Sequence, residues 1–189
     1  MRFRLWVTLL VAALSGAGAA SAAELGPVQL DKSKLTFVSK QMGVPVDGEF
    51  RKFSASLAFD PAKPDAGRAQ IEIDMASVDA GAAETNEEVT GKNWFNVKQF
   101  PKATFVSSSV KALGGNRFEV AGKLTIRDKT RDVVAPFTMA PQGAFTQFDG
   151  AVTIRRADFG IGQGVWADFD TVANDVQIRF RLLVASKKS

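Results

Sequence analysis

The sequence predicts an all-β fold, an antiparallel barrel of about eight strands with a short helical segment at one end. Long stretches alternate apolar and polar residues with a period of two, which is typical of half-buried antiparallel strands. These stretches are separated by turn-forming sequences such as LGGN and RDKTR. One long connection, residues 81–101, interrupts the alternation and has the length to hold a helix.

The alternation is clearest in five stretches, which in chain order are SKLTFVSKQ, SASLAFD, AQIEIDM, NRFEVAGKLTIR and DVQIRFRLLV. In the fourth stretch, Phe118, Val120 and Leu124 share one face. Many of the predicted strands are roughly 8–14 residues long, against a usual length of about 5–6. Long strands with short connections favour a sheet that closes on itself, and about eight strands leave room for one small ligand. A two-sheet sandwich has the same sequence signals and is the alternative.

The long connection begins with a helix signal. The sequence TNEE has the pattern of a capping box, with Thr85 as the N-cap and Glu88 three residues later. We therefore predict a short helix that ends near Gly91. The following NWFNVKQFP predicts a second helical turn that stops before Pro101, because the residue before a proline disfavours helical geometry.

The same connection is polar and basic, yet it leads through four large aromatics, Trp94, Phe95, Phe100 and Phe105. Each such side chain buries on the order of 150–250 Å² when it packs. We expect the first three to cover one end of the barrel as a lid, and Phe105 to start the next inward-facing strand. Trp166 is a further rim candidate, because it ends the glycine-rich loop DFGIGQGVW, which no helical pattern follows.

The start of the chain has the three-part layout of a secretory signal peptide. Basic residues precede an apolar run from Leu5 to Leu14, and positions 20–22 carry an A-x-A cleavage signal. The apolar run is shorter than the about 20 residues that a membrane-spanning helix needs. We predict a cleaved signal peptide over residues 1–22 and one domain over residues 23–189, with no stable membrane span after cleavage.

Composition argues against several classes of function. The chain has no cysteine, no histidine and no tyrosine, so it lacks three side chains that commonly act as general base, nucleophile or zinc ligand. We therefore predict neither an enzyme nor a metal site. Cleavage would leave a net charge of about +2, because the leader carries two of the 24 basic residues and none of the 20 acidic ones. Such a balance, with no basic run, does not favour nucleic acid.

The inward-facing apolar positions are the candidate lining of a ligand cavity, although the sequence leaves open whether the interior is hollow or filled. They are Phe37, Phe50, Phe59, Ile71, Ile73, Phe105, Phe118, Leu124, Ile126, Val152, Ile178 and Phe180. Four arginines near predicted turns are candidates to contact an anionic head group, because arginine pairs with phosphate in a bidentate way. They are Arg127, Arg131, Arg155 and Arg156. Solvated turn charges are the simpler interpretation of these arginines.

Six sequences, in order and over about Leu30 to Val184, together resemble the YceI-like family of bacterial envelope proteins. They are SKLTFVSKQMGVPVDGEFRKFSASLAFDP, IDMASVDAG, NWFNVKQFPKATF, VAGKLTIRDKTRDVVAPF, RRADFGIGQGVWAD and VANDVQIRF. The resemblance implies a lipocalin-like barrel whose apolar pore binds long polyisoprenoid lipids, such as quinone precursors or isoprenoid pyrophosphates. It also implies a periplasmic location, no catalytic activity and no cofactor other than a bound isoprenoid lipid.

The chain departs from the family at positions where many members carry histidine. It has Lys32 and Ser33 at one of them and residues 39–41 near another, so a role that depends on histidine does not carry over. We predict a non-enzymatic protein that binds, transports or stores a long isoprenoid lipid. The alternative is an interaction module that docks a membrane redox partner through its rim loops. An incompletely closed barrel edge would also allow a homodimer.

Overall fold

Eleven strands form one antiparallel sheet in the computed structural model, which describes residues 25–186. The strands are β1 (Leu25–Val28), β2 (Lys34–Gln41), β3 (Val44–Phe50), β4 (Phe53–Ala58), β5 (Arg68–Asp74), β6 (Val78–Asp79), β7 (Lys102–Gly114), β8 (Arg117–Ile126), β9 (Lys129–Gln142), β10 (Phe145–Arg155) and β11 (Asp175–Ser186). The predicted signal peptide, residues 1–22, lies outside the described residues.

The strands follow the order β4-β5-β7-β8-β9-β10-β11-β2-β3-β6 across the sheet. β2 pairs with the first half of β11, and β1 pairs with the end of β11 that β2 leaves free. Because β1 also lies against β4, the sheet curls into a half-barrel whose ends approach each other. This confirms the predicted all-β, lipocalin-like class. The strand number exceeds about eight because β1 and β6, of 4 and 2 residues, are too short to show an alternation.

β8 illustrates why the alternation predicts this sheet. Phe118, Val120, Leu124 and Ile126 are buried on its inner face, while its other side chains are half-buried or exposed. A register error of one residue would exchange the two faces, so the pattern fixes the pairing with β7 and β9. The buried side chains form two clusters, one toward each end of the half-barrel.

One α-helix, α1 (Ala83–Thr90), is present among the described residues, and it ends next to Gly91, as predicted. The predicted capping box is wrong, because the helix starts two residues before Thr85, which therefore lies inside it. Ala82 precedes the helix with no side-chain cap. Two short-range hydrogen bonds instead hold the chain before the helix, in which Asn86 Oδ1 accepts from Ala80 N–H and Asp79 Oδ1 accepts from Gly81 N–H.

The predicted second helical turn is not a helix. Residues 92–100 form consecutive turns, and Asn96, with a φ of 49°, adopts a left-handed conformation that interrupts any helix. A single turn, closed by the Phe100 N–H to the Asn96 carbonyl at 2.9 Å, does end directly before Pro101. We call residues 83–100 the lid segment.

Short 3-10 helices complete the described chain, at Leu30–Lys32, Pro64–Ala66, Met75–Ser77, Arg156–Phe159 and Gly164–Trp166. The last two lie in a long connection between β10 and β11, residues 156–174, which we call the rim loop. Within residues 25–186 no helix has the length and apolar character needed to cross a membrane.

Candidate functional site

Two adjoining apolar cavities lie inside the half-barrel. The cavity beside the lid segment, which we call the lid cavity, has a volume of about 90 Å³. The other, which we call the far cavity because it lies away from the lid segment, has a volume of about 110 Å³. Both are lined by Leu35, Ile73, Leu124 and Ile178, which form the constriction between them. The interior is therefore neither one open pore nor a solid core.

The structure brings together all but one of the predicted lining residues. The far cavity is lined by Phe59, Ile71, Ile73, Phe105, Leu124, Val152, Ile178 and Phe180. The lid cavity is lined by Phe37, Phe50, Ile73, Leu124, Ile126 and Ile178. Sequence reasoning missed Leu35, although it shares the inner face of β2 with Phe37 and the alternation was sufficient to find it.

Phe118 faces inward but lines neither cavity. Its ring stacks on Phe137 with 5.4 Å between centroids and meets the edge of Phe59 at 5.0 Å. Phe148 completes this aromatic cluster, which fills the end of the half-barrel opposite the lid segment. The alternation correctly places Phe118 on the inner face of β8, but it does not show whether that position along the strand lies beside a cavity.

Three of the lining phenylalanines lie across glycines on neighbouring strands. The rings of Phe37 and Phe180 cover Gly48 and Gly150, their register partners, and the ring of Phe105 covers Gly122. A Cβ atom on any of these glycines would lie closer than 3.0 Å to the ring. The rings therefore occupy space that a side chain on the wall would otherwise take.

The lid segment covers the end of the lid cavity. Trp94 and Phe95 are half-buried, pack against the lid-end core and line the cavity, and Phe95 lies 6.0 Å from the Phe50 ring centroid. Trp166 reaches the lid from the rim loop, with its ring centroid 5.8 Å from that of Trp94. Phe100 is half-buried but lines neither cavity.

Several polar contacts fasten the lid segment to the rim loop. The Asn93 carbonyl accepts from the backbone N–H groups of Gly162 and Gln163 at 2.9 and 2.8 Å. Trp166 Nε1 donates to Glu88 Oε1 at 2.7 Å. Arg127 Nη1 donates to the Trp94 carbonyl at 3.1 Å and also to the Gly160 carbonyl.

None of the four candidate head-group arginines extends a free guanidinium into a cavity. Arg127 joins the lid segment to the rim loop, and its guanidinium lies 5.6 Å from the Phe100 ring centroid. Arg131 is exposed and donates to the adjacent Thr130 carbonyl. Arg155 is exposed and pairs with Asp158. These three side chains do not meet at one anion site.

Arg156 differs from the other three because it is only 1% exposed and lines the lid cavity. Nε donates to the Ala173 carbonyl, Nη1 to those of Ile161 and Gly162, and Nη2 to those of Trp166 and Val172, at 2.7–3.1 Å. All five N–H donors of the guanidinium are therefore used by backbone carbonyls of the rim loop.

The charge of Arg156 has no carboxylate partner among residues 25–186. Burial lowers the pKa of its guanidinium below its ordinary value, but an arginine keeps its proton at neutral pH. Gly162 makes room for it, because a side chain there would collide with Nη1, and its φ of 74° also favours glycine. The sequence carried a signal for this site, because Arg156 directly follows β10 and continues the alternation of the inward-facing Val152 and Ile154.

Two buried donors lack a partner. Trp94 Nε1 and Arg127 Nε have no hydrogen-bond acceptor in the part of the chain that the structure describes. Buried tryptophan N–H groups usually have one. The same part of the chain contains no group of three or more acidic side chains placed to hold a metal ion.

Comparison with known proteins decides the family. The model of the YceI-like domain matches residues 27–184. The chain belongs to the YceI-like family. A UPF0312 protein of Azotobacter vinelandii is 33% identical over 160 residues, which cover 79% of this chain and 82% of the relative. These matches confirm the resemblance seen in the sequence.

Solved structures carry the same fold as this YceI-like domain. The crystal structure of Burkholderia cenocepacia BcnA is 51% identical, with a TM-score of 0.80, and the match covers 82% of this chain and 98% of that one. A polyisoprenoid binding domain from Saccharophagus degradans, implicated in plant cell wall breakdown, is 18% identical with a TM-score of 0.66. That match covers 88% of this chain and all of the other.

Proposed function

We propose that this YceI-like domain is a non-enzymatic protein that binds a long isoprenoid lipid in the periplasm, as a carrier or a store. The observation that carries the proposal is the pair of adjoining apolar cavities under an aromatic lid. The Saccharophagus degradans neighbour, which is described as a polyisoprenoid binding domain, adds support from the same fold.

The driving force would be burial of the tail. Apolar transfer contributes about 0.8 kcal/mol per buried CH₂, so one five-carbon isoprene unit gains roughly 4 kcal/mol before the costs of association. A chain of several units would therefore bind tightly with few polar contacts. This suits cavities whose walls are almost wholly apolar.

The cavity volumes set a condition on binding. A cavity of roughly 150 Å³ lined by Leu, Ile and Phe accepts one benzene ring, so the cavities of about 110 and 90 Å³ each match about one isoprene unit. Pockets for larger ligands usually have about 300–1,000 Å³. A long tail would part the constriction at Leu35, Ile73, Leu124 and Ile178.

Native mass spectrometry of the protein from an envelope fraction tests the proposal. We expect a stoichiometric adduct whose extracted mass is an isoprenoid. An empty protein that also fails to take up added polyprenyl lipids would contradict it. The envelope fraction is chosen because the periplasmic location is part of the proposal, so recovery from the cytoplasm alone would contradict that part.

One observation favours the alternative, a module that docks a membrane redox partner. Val165 and Phe169 of the rim loop are 82% and 49% exposed, and Met42, 79% exposed, donates its backbone N–H to Thr171 of the same loop. Exposed apolar side chains that cluster at one end are typical of interaction sites. If the loop docks a membrane partner, the double substitution Val165→Ser and Phe169→Ser is expected to abolish crosslinking to a membrane protein and to leave lipid uptake unchanged. Unchanged crosslinking would exclude this role for the loop.

A further inference from the structure

Two neighbouring loops carry exposed apolar side chains at the end of the half-barrel that holds the lid segment. In the hairpin between β2 and β3, Met42 is 79% and Val44 is 63% exposed. In the rim loop, Val165 is 82% and Phe169 is 49% exposed. These are four of the eight large apolar side chains that are exposed among residues 25–186, and the other four lie on other elements. We call these four side chains the tip surface, because such a cluster is typical of a contact site.

Backbone hydrogen bonds join the two loops into one platform. The Met42 N–H donates to the Thr171 carbonyl at 2.9 Å. The Ala173 N–H donates to the Lys40 carbonyl, also at 2.9 Å. The hairpin and the rim loop therefore hold their exposed side chains in a fixed relation to each other.

The buried Arg156 supports the same platform from the inside. Its Nη2 donates to the carbonyls of Trp166 and Val172, each at 2.7 Å. Its guanidinium also lies 5.3 Å from the ring centroid of Phe169. Because the loop is ordered by these contacts before it meets a partner, docking costs little additional conformational entropy.

Met42 occupies a turn position that ordinarily suits asparagine or glycine. Gln41 pairs with Val44, so Met42 and Gly43 are the two central residues of the hairpin, with φ of 50° and 81°. Both central residues of such a turn are left-handed, which favours Asn-Gly. A long apolar side chain at the first position is unfavourable for the backbone and is also left in water. Transfer of this side chain into an apolar phase would offset that cost.

Area and charge distinguish a lipid surface from a protein partner. A large apolar side chain buries on the order of 100 Å², so the partly exposed tip surface offers roughly 300 Å² in all. A specific protein interface covers about 800 Å² on each partner. Residues 40–45 and 164–173 carry one lysine and two aspartates, which is no complement to a strongly charged partner. The head-group region of a bilayer needs no matched shape, since protruding apolar side chains insert into it.

We infer that this end of the protein docks on the surface of a lipid bilayer by inserting the tip surface into the head-group region. The inserted area is small and no basic cluster adds attraction to anionic lipids, so the docking is weak and reversible. It places the lid segment, which is fastened to the rim loop, beside the membrane. This docking goes beyond the proposed isoprenoid binding and does not depend on it, because it is a contact of the outer surface.

Cosedimentation with vesicles that contain no isoprenoid tests the docking. One set is phosphatidylcholine, and the other is phosphatidylcholine with phosphatidylglycerol. We expect the protein to bind both, with an affinity that high salt does not lower, because salt screens charges and not apolar contacts.

The double substitution Met42→Asn and Val165→Ser removes two side chains of the tip surface. Asparagine suits the left-handed turn position, so the hairpin is expected to stay intact. We expect the partition coefficient to fall about tenfold, because each apolar side chain withdrawn from the bilayer weakens insertion. Circular dichroism checks that the variant is folded.

The matched control makes the same kind of change elsewhere on the surface. Leu113 on β7 is 47% exposed, and Val134 on β9 is 52% exposed. The double substitution Leu113→Asn and Val134→Ser is expected to leave vesicle binding unchanged. Equal losses in the two double variants would show that general surface polarity, and not the tip surface, governs binding.

A second measurement keeps the test decisive if the first double variant does not fold. The chain has no cysteine, so Val165→Cys accepts a single environment-sensitive fluorophore. We expect its emission to shift to shorter wavelength when phosphatidylcholine vesicles are added. The same fluorophore on Val134→Cys is expected to show no shift.

Several outcomes would overturn the docking inference. They are failure to bind either kind of vesicle, equal losses in the two double variants, and binding that needs phosphatidylglycerol and disappears in high salt. Binding to native envelope membranes but not to protein-free vesicles would also overturn it, and would assign the tip surface to a membrane protein. None of these results bears on isoprenoid binding, which mass spectrometry tests separately.

Discussion

Replacing Ala135 with leucine is expected to stabilise the protein and to abolish its uptake of isoprenoid lipid. Ala135 is 5% exposed on β9, and it lines the far cavity. At about 24 cal/mol per Å³, an empty cavity of about 110 Å³ costs about 2.6 kcal/mol of stability. Leucine adds three carbons, worth about 2.4 kcal/mol when buried. Allowing for imperfect packing, we expect the free energy of unfolding to rise by about 1–2 kcal/mol.

Urea unfolding followed by tryptophan fluorescence measures the change in stability, and dialysis against a labelled polyprenyl lipid measures uptake. Val134→Leu is the matched control, because Val134 is the adjacent residue on β9 but is 52% exposed and points outward. It is expected to change neither quantity. If Ala135→Leu lowers the free energy of unfolding, the added side chain does not fit into the far cavity. Unchanged uptake in a stable variant would mean that the tail does not occupy it.

Three further predictions follow from the same geometry. Arg156→Met leaves the carbonyls of the rim loop without donors and is expected to lower the free energy of unfolding in urea by about 3–5 kcal/mol. The exposed control Arg155→Met is expected to change it little. Equal effects of the two substitutions would contradict the structural role of Arg156. Phe118→Ala is expected to lower the free energy of unfolding by about 3–5 kcal/mol, while the folded protein binds lipid as tightly as before. A folded variant that does not bind lipid would place Phe118 in the ligand site. The Gly81 N–H, Asn86 and Arg51 lower the pKa of Asp79 below 3.8, so its stabilisation is present above pH 3.8 and is lost as the pH falls through the folded-state pKa. Because the chain has no histidine, the free energy of unfolding is expected to be flat from about pH 5 to 8, and a transition in that window would contradict this.

The sequence predicted the sheet because strand alternation is a local signal. Each inward position of β8 is apolar or glycine, and no distant contact is needed to recognise the pattern. The start of α1 was mispredicted because two local signals compete there. Thr85 has a favourable capping pattern, but Asn86, which lies inside the helix, accepts from Ala80 N–H, and Asp79 accepts from Gly81 N–H. The helix that follows these contacts starts at Ala83, so Thr85 is not its N-cap.

The sequence predicts which side chains of the candidate site face the interior, but not where along the barrel axis each one lies. The two-residue alternation assigns both Phe118 and Phe180 to the interior, yet only Phe180 borders a cavity. Residue type made Arg156 a candidate head-group contact, with a solvated turn charge as the simpler interpretation. Its place after Val152 and Ile154 on an inward face was the better guide, since a charge at such a position must find internal partners.

Whether the interior is hollow depends on pairs of positions on different strands. Phenylalanine is large, so a sheet with many inward phenylalanines would ordinarily fill its own core. Here the rings of Phe37, Phe105 and Phe180 lie over glycines of the neighbouring strands, and the missing side chains let the rings lie against the wall. The open volume is therefore encoded by glycine as much as by phenylalanine. Taken one residue at a time, the sequence shows an apolar phenylalanine and a glycine that is a weak strand former. The cavity arises only because the register of the sheet places the two side by side.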